Sequence, residues 1–329
     1  MNTFRNPLAD FDSPDPFITY DKETGYYYSL FTRHDYLELF RSKHLGNLIR
    51  EGESKIIYRP NGEKEGIWGD IWAPEMHRGS DGGWYIYTSG RITEARGPKR
   101  MIVLKALSPD PFGEWAFVGM PTPEIFSIDP TSYMAEDGTQ YLCNSRVDEV
   151  HGQVIDLYKM KSPTELDVDS RVTLAVAEKE WELIPPYVGD WACVEGGFFV
   201  KKNNRLFIIY SANGCWSDHY LLGVLEHTGG ELCDAANWKK HDKPLLTYGN
   251  GVFGPGHASF FYSPDGTELW CAYHGLKRHN EKAEPDTRYM NVQKVDFDET
   301  GYPVMGVAIG YETDIPCPSG EESGAKDAE

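Results

Sequence analysis

Four carboxylates and a histidine recur at one place in a five-fold pattern. Asp15, Glu75, Asp129, Glu195 and His257 each stand ten to thirteen residues ahead of a short run rich in aromatic and apolar residues. If five similar units close into a ring, these side chains converge on one axis. Most of the acids are flanked by apolar, Gly or Pro residues, as in Pro14-Asp15-Pro16-Phe17 and Trp72-Ala73-Pro74-Glu75. A charge in such surroundings is costly unless it is paired or functional. Several carboxylates in one partly desolvated pocket cannot all ionise normally, because repulsion and burial raise some pKa values while others stay ionised. The split leaves one group able to donate a proton and one able to accept it, the pair that glycoside hydrolysis needs. The alternative is five unrelated turn or strand-end residues at the surface, and their matching offsets speak against it.

The elements that must position them follow from the repeat. The runs are Tyr26-Tyr27-Tyr28-Ser29-Leu30, Trp84-Tyr85-Ile86-Tyr87, Gln140-Tyr141-Leu142-Cys143, Leu206-Phe207-Ile208-Ile209 and Leu269-Trp270-Cys271-Ala272. Anchors at 28, 85, 141, 207 and 270 lie 57, 56, 66 and 63 residues apart. Turn dipeptides precede several of them, Asp137-Gly138, Asn203-Asn204 and Asp265-Gly266, which is strand and hairpin chemistry. A period near 60 residues accommodates a four-stranded antiparallel sheet, and five copies nearly exhaust the chain. The fold class predicted is all-β, a five-bladed β-propeller, as a single domain over residues 1–316. A β-sandwich or two stacked β domains is the alternative. Residues 317–329 carry no large apolar residue beyond Cys317 and Pro318 and are predicted to be a disordered tail.

Composition narrows the partners. With 32 basic and 51 acidic residues the net charge is -19, which disfavours nucleic acid and anionic membranes. The 20 Tyr and 9 Trp suit both strands and the stacking of aromatic rings on sugars. Six cysteines form no CxxC pair, so a metal finger or a redox motif is not indicated. No run of 18 apolar residues is present. A cytoplasmic protein is the simplest reading, although a secreted protein with its signal removed would look similar.

The short motifs around the axial residues resemble glycoside hydrolase family 43. They are Asp15-Pro16-Phe17-Ile18, Trp72-Ala73-Pro74-Glu75, Ile128-Asp129-Pro130-Thr131, Val194-Glu195-Gly196 and Gly254-Pro255-Gly256-His257-Ala258-Ser259-Phe260-Phe261, in order and at blade spacing. The resemblance runs from about Asp15 to Gly310. It implies a five-bladed propeller that cleaves arabinose or xylose linkages with inversion. It makes Asp15 the general base, Glu195 the general acid, and Asp129 the carboxylate that orients Glu195 and raises its pKa. For Asp129 a sugar-hydroxyl contact is the alternative.

Substrate-contacting candidates are Phe31, Trp72, Glu75, Trp191 and Arg288, with the aromatics as pocket walls. The resemblance also implies an axial metal or water site at His257, where Ca²⁺ is the candidate ion, and no cofactor required for the chemistry. Tyr210-Ser211-Ala212-Asn213-Gly214-Cys215-Trp216 resembles an arabinofuranosidase-like branch, so the activity expected is an exo-acting α-L-arabinofuranosidase on arabinose- or xylose-containing oligosaccharides. A β-xylosidase or a non-catalytic sugar-binding propeller are the alternatives. One departure from the family pattern is Gly197, where many relatives carry Pro.

Overall fold

The computed structural model describes residues 2–122 and 124–321. Five antiparallel sheets stand around a central axis. The first strands of the blades are Phe17–Asp21, Trp72–Arg78, Ile128–Met134, Val194–Lys202 and Phe253–Tyr262. Each packs against the first strands of both neighbouring blades, which closes the ring. The second strands are Tyr26–Leu30, Trp84–Arg91, Gln140–Asp148, Arg205–Ala212 and Leu269–Leu276. Every one of the five anchor aromatics lies on a second strand and is buried. The repeat read from the sequence is therefore a repeat of structure.

Local chemistry sets the hairpins. Gly138 and Gly266 take left-handed φ values of 84° and 75° between first and second strands, and Asn203 and Asn204 do the same at 48° and 64°. Glycine and asparagine tolerate that region, and such turns match the twist of the strands they join. Between blades, alternate residues interlock: Tyr28, Ile86, Phe207 and Tyr273 contribute to one large core that also holds Phe17, Phe198 and Phe260. Blade 4 departs from the four-strand rule. Its third strand, Leu221–His227, pairs with two short pieces, Trp238–Lys240 and Leu246–Thr247, and the latter pairs in parallel with Gly306–Val307 after blade 5.

The chain ends lock the ring between blades 5 and 1. Thr3–Phe4 pairs with Ile315–Pro316. Residues 6–13 then run beside Tyr289–Phe297, the third strand of blade 5. Leu8 N–H donates to Met290 O at 2.8 Å and Ser13 N–H to Arg288 O at 2.8 Å. The Asn6 amide donates to Val292 O and its oxygen accepts from Val292 N–H, both at 2.9 Å. This seam delivers Asp12 and Asp15 beside Arg288.

The ordered chain runs past the boundary expected at 316. Cys317 N–H donates to Asn2 O at 3.1 Å. Ser319 N–H reaches Glu268 at 3.0 Å, and Glu321 accepts from Leu45 N–H at 3.1 Å. These anchors are polar, so the lack of apolar residues in the segment gave no sign of them. Residues 322–329 of the expected tail lie outside the described residues.

Asn6 is buried and spends both amide functions on one strand residue. Asn6→Ala should cost about 1–3 kcal/mol, the penalty for stranding buried backbone partners. Asp10→Ala, which removes only an exposed partner of Arg50, should change stability by less than about 0.5 kcal/mol. Thermal unfolding of both variants checks the contrast.

Candidate active site

The first strands are not regular where they meet the axis. In blades 2 to 5 their pairing slips, between Trp72 and Glu75, Ile128 and Thr131, Glu195 and Phe198, and twice between Phe253 and Ser259. Within each slip sits a residue with left-handed φ: Ala73 at 43°, Asp129 at 52°, Gly196 at 58°, and His257 at 49°. Asp15, directly ahead of the first strand of blade 1, has φ 55°. Such bulges re-aim a side chain and are common beside active sites. A non-glycine residue held this way costs on the order of 1–3 kcal/mol, which the surrounding sheet must offset.

These five residues with left-handed φ are the equivalent positions of the ring, and two of the expected acids are not among them. Glu195 precedes its bulge residue by one and still faces the cavity. Glu75 follows its bulge residue by two. Its Oε2 lies 2.7 Å from His77 Nε2, and it does not line the cavity, so its expected contact with substrate is not found. An offset window of ten to thirteen residues was wide enough to mix positions that the bulges separate.

A cavity of about 540 Å³ opens at the axis, and Asp15, Asp129, Glu195, His257, Trp72 and Arg288 line it. Asp15 is the most tightly held. Thr32 Oγ1 donates to its Oδ2 at 2.7 Å. Arg288 Nη1 lies 3.2 Å and His257 Nδ1 3.3 Å from Oδ1. Burial pushes this carboxyl up, but Arg288 and then His257 outweigh it and hold it well below the usual carboxylate range.

The Asp15 N–H donates to His274 Nδ1 at 3.1 Å. Burial drives His274 down to about 4, so this ring is neutral and free to accept there. Its 3.4 Å approach to Asp15 Oδ1 is accordingly not an ion pair.

Asp129 is the opposite case. Burial pushes it up to about 7; His257 opposes the rise, and the charges of Glu195 and Asp15 add to it. Ser145 Oγ donates to its Oδ2 at 3.3 Å. Glu195 accepts from Gln153 Nε2 at 2.6 Å and from Tyr220 O–H at 2.8 Å. Asp129 therefore holds its proton up to near neutral pH, with the Glu195 carboxyl among the charges that keep it there. Burial lowers His257, but Asp15, Asp129 and Glu195 together raise it above its ordinary value. The site thus sets an ionised Asp15 and its cations against an Asp129 that holds a proton.

Two expected walls are elsewhere. Phe31 is fully buried and stacked on Phe40, with ring centroids 5.3 Å apart. Its neighbour Thr32 faces the cavity instead, as alternation along an extended chain requires. Trp191 is 77% exposed, on a single 3₁₀ turn, Gly189–Trp191, ahead of blade 4. Trp216 lines the cavity, with the Arg288 guanidinium 5.5 Å from its ring centre. Trp72 does line the cavity, its indole N–H donating to His34 Nδ1 at 3.1 Å and Lys99 Nζ lying 3.6 Å from its ring centre.

Thr32, His34, Cys215, Trp216 and Asp12 are lining residues that sequence reasoning did not single out. Only Cys215 and Trp216 carried a signal, inside the run that ends Gly214-Cys215-Trp216. Gly197 fits its place: a Cβ there would meet Cys143 Sγ and Ile208 Cγ2, each at 3.1 Å.

Two other chemistries are tested by the same residues. Burial raises the Cys193 thiol well above its ordinary value and pushes Cys215 up to about 12, so neither is a ready nucleophile. Calcium takes six to eight oxygen ligands. His257 offers nitrogen, and among the described residues no three His, Cys, Asp or Glu side chains are grouped to hold a metal ion. The residues present do not fit the ion expected there, and no step is derived through one.

The family model described as Glycosyl hydrolases family 43 matches residues 4–303. An extracellular exo-α-(1→5)-L-arabinofuranosidase of Streptomyces chartreusis is 33% identical over 86% of this chain and 85% of its own length. An enzyme of the same name from Streptomyces avermitilis is 29% identical over 93% of this chain and 64% of its own. Among solved structures, an α-L-arabinofuranosidase from Lactobacillus brevis superposes with a TM-score of 0.83 at 27% identity, covering 94% of this chain and 98% of that one.

The raised Asp129 carries a cost in stability whose sign is fixed. Its folded pKa lies near 7 against an unfolded value of 3.8. The charged form is therefore penalised by folding, and stability falls as pH rises from about 4 to about 7. Asp129→Asn should raise the melting temperature at pH 8, with the gain fading toward pH 4. Melting curves at the two pH values check this.

Proposed function

We propose, for a chain that belongs to glycosyl hydrolases family 43, that it is an inverting, exo-acting α-L-arabinofuranosidase. Its substrates on this reading are arabinan or arabinoxylan oligosaccharides, from which it releases arabinose. The observation that carries the chemistry is the division of charge in one cavity: Asp15 held ionised by Arg288 and His257, and Asp129 retaining a proton in the cavity that Glu195 also lines. The substrate choice is supported by the two Streptomyces relatives, both named for exo action on α-(1→5) linkages.

The roles follow from those states. Asp15 accepts a proton from water as the water oxygen attacks the anomeric carbon. The glycosidic C–O bond breaks on the opposite face, and Glu195 passes its proton to the leaving oxygen. The configuration is inverted because water, not a protein carboxylate, forms the new bond. Charge develops on the sugar as an oxocarbenium-like species, and the ionised Asp15 stabilises it at short range. Asp129, protonated up to about pH 7, stands in the same cavity as Glu195. Arg288 and His257 hold Asp15 ionised while it waits for substrate. Gln153 and Tyr220 fix both oxygens of Glu195, so its proton is delivered along one direction. Trp72 and Trp216 offer rings to the apolar faces of the sugar.

The sign of the pH dependence is set by these groups. Asp15 is protonated only well below pH 4, so the acid limb of kcat/KM should lie at low pH. On this reading turnover needs Asp129 protonated, so the rate should fall as Asp129 loses its proton with pH rising through about 7. Glu195→Gln should lower kcat on a substrate with a poor leaving group by roughly 10²–10⁴-fold, the usual worth of general acid catalysis. Rates on 4-nitrophenyl α-L-arabinofuranoside and β-D-xylopyranoside, taken side by side, test the substrate. Preference for the xyloside would replace the arabinose reading and leave the carboxylate roles standing.

A further inference from the structure

Four residues after each anchor aromatic the chain carries Thr32, Ser89, Ser145, Ser211 and His274. All five are buried at the inner end of a second strand or directly after it. Four of them make the same contact. Each accepts the backbone N–H of the left-handed bulge residue in the next blade: Ala73 N–H to Thr32 Oγ1 at 2.8 Å, Gly196 N–H to Ser145 Oγ at 3.3 Å, His257 N–H to Ser211 Oγ at 2.7 Å, and Asp15 N–H to His274 Nδ1 at 3.1 Å. Ser89 differs, with its hydroxyl 3.4 Å from Trp72 O in its own blade. A bulge residue leaves the ladder, so its N–H needs another acceptor when buried. The polar residue four after the anchor supplies it and ties one blade to the next.

Two of these hydroxyls do more. Thr32 Oγ1 accepts from blade 2 and donates to Asp15 Oδ2 in its own blade. Ser145 Oγ accepts from Gly196, the residue after Glu195, and donates to Asp129 Oδ2 in its own blade. One hydroxyl can make both bonds at once because it has a single hydrogen and two lone pairs. Replacing it by a methyl group strands a buried N–H and frees a carboxylate together.

We propose that Thr32 and Ser145 are positioning residues for the two arms of the reaction. Thr32 fixes the carboxylate of the general base, and Ser145 fixes the spacing between Asp129 and the strand that bears Glu195. The inference rests on the roles given above to Asp15 and to the Asp129–Glu195 pair. It assigns the two arms different behaviour. A base must work whatever the leaving group, whereas a proton donor matters most when the leaving group is poor.

The test uses Thr32→Val and Ser145→Ala beside the hydroxyl-keeping variants Thr32→Ser and Ser145→Thr, with Asp15→Asn and Glu195→Gln as controls. Substrates are the phenyl and 2,4-dinitrophenyl α-L-arabinofuranosides. Thr32→Val should lower kcat on both by about 10–100-fold with KM changed less than about threefold, the pattern of an interaction lost in the transition state. Ser145→Ala should lower kcat on the phenyl glycoside by at least about tenfold and on the dinitrophenyl glycoside by less than about threefold. Thr32→Ser and Ser145→Thr should recover most of each loss. Parent-like rates in Thr32→Val or Ser145→Ala, with Asp15→Asn and Glu195→Gln inactive on the phenyl glycoside, would overturn the positioning roles alone. So would losses that follow melting temperature and ignore the leaving group. Full activity in Asp15→Asn would overturn the reading of the base itself, and the role of Thr32 with it.

Discussion

Like charges brought to one buried axis must be kept unequal, and much of this structure serves that requirement. Asp15 could not remain ionised beside Asp129 and Glu195 without Arg288 and His257 at 3.2 and 3.3 Å. Arg288 comes from the start of the third strand of blade 5 and His257 from its first strand, while Asp15 comes from the segment that closes the ring. The base is thus assembled only when the two ends of the propeller meet. On the proposed mechanism the seam formed by residues 6–13 therefore serves catalysis as well as the fold. Asp129 and Glu195 stand on adjacent blades, and burial keeps Asp129 protonated up to about pH 7.

The bulges are the means. A regular strand would send Asp15, Asp129 and His257 along the pleat, into contact with neighbouring sheets. Left-handed backbone at these positions turns them toward the axis, at a cost in backbone strain and in unpaired N–H groups. The hydroxyls and the imidazole that follow the anchors meet that second cost for Asp15, Ala73, Gly196 and His257. Local strain, inter-blade hydrogen bonds and the electrostatic division of the site are therefore one arrangement, in which the charge distribution depends on geometry that only the closed ring maintains.

The period was legible because buried strands need apolar runs, and five such runs at near-equal spacing are what a ring of like units requires. Asp15, Asp129, Glu195 and His257 were legible because charges among Pro, Gly and apolar residues need a reason. Glu75 looks equivalent in sequence and is not, since the sign of φ at Ala73 has no mark where Ala is the residue. Phe31 reads as a wall, but its neighbour Thr32 is the one that lines the cavity. A single-residue error of this kind changes the face on which a side chain lies, and composition does not reveal it. Trp191 stands close in sequence to Glu195 but on a turn that faces solvent, whereas Trp216 reaches the cavity from a loop beyond the second strand of blade 4. Loop paths of this sort are set by tertiary contacts. The hydroxyls at Thr32, Ser145 and Ser211 recur four residues after their anchors, but serine and threonine in strands are ordinary, so the recurrence alone does not say what they do. Their meaning comes from the N–H groups they face.

The most direct test of the account is a carboxyl titration of the free protein by ¹³C NMR, with side-chain-labelled aspartate and assignment through Asp15→Asn and Asp129→Asn. The account requires the Asp129 signal to move with a midpoint near 7 while the Asp15 signal stays that of a carboxylate throughout the range above pH 4. If both carboxyls are fully ionised by about pH 5, the charge division at the axis does not exist and the mechanism built on it is wrong.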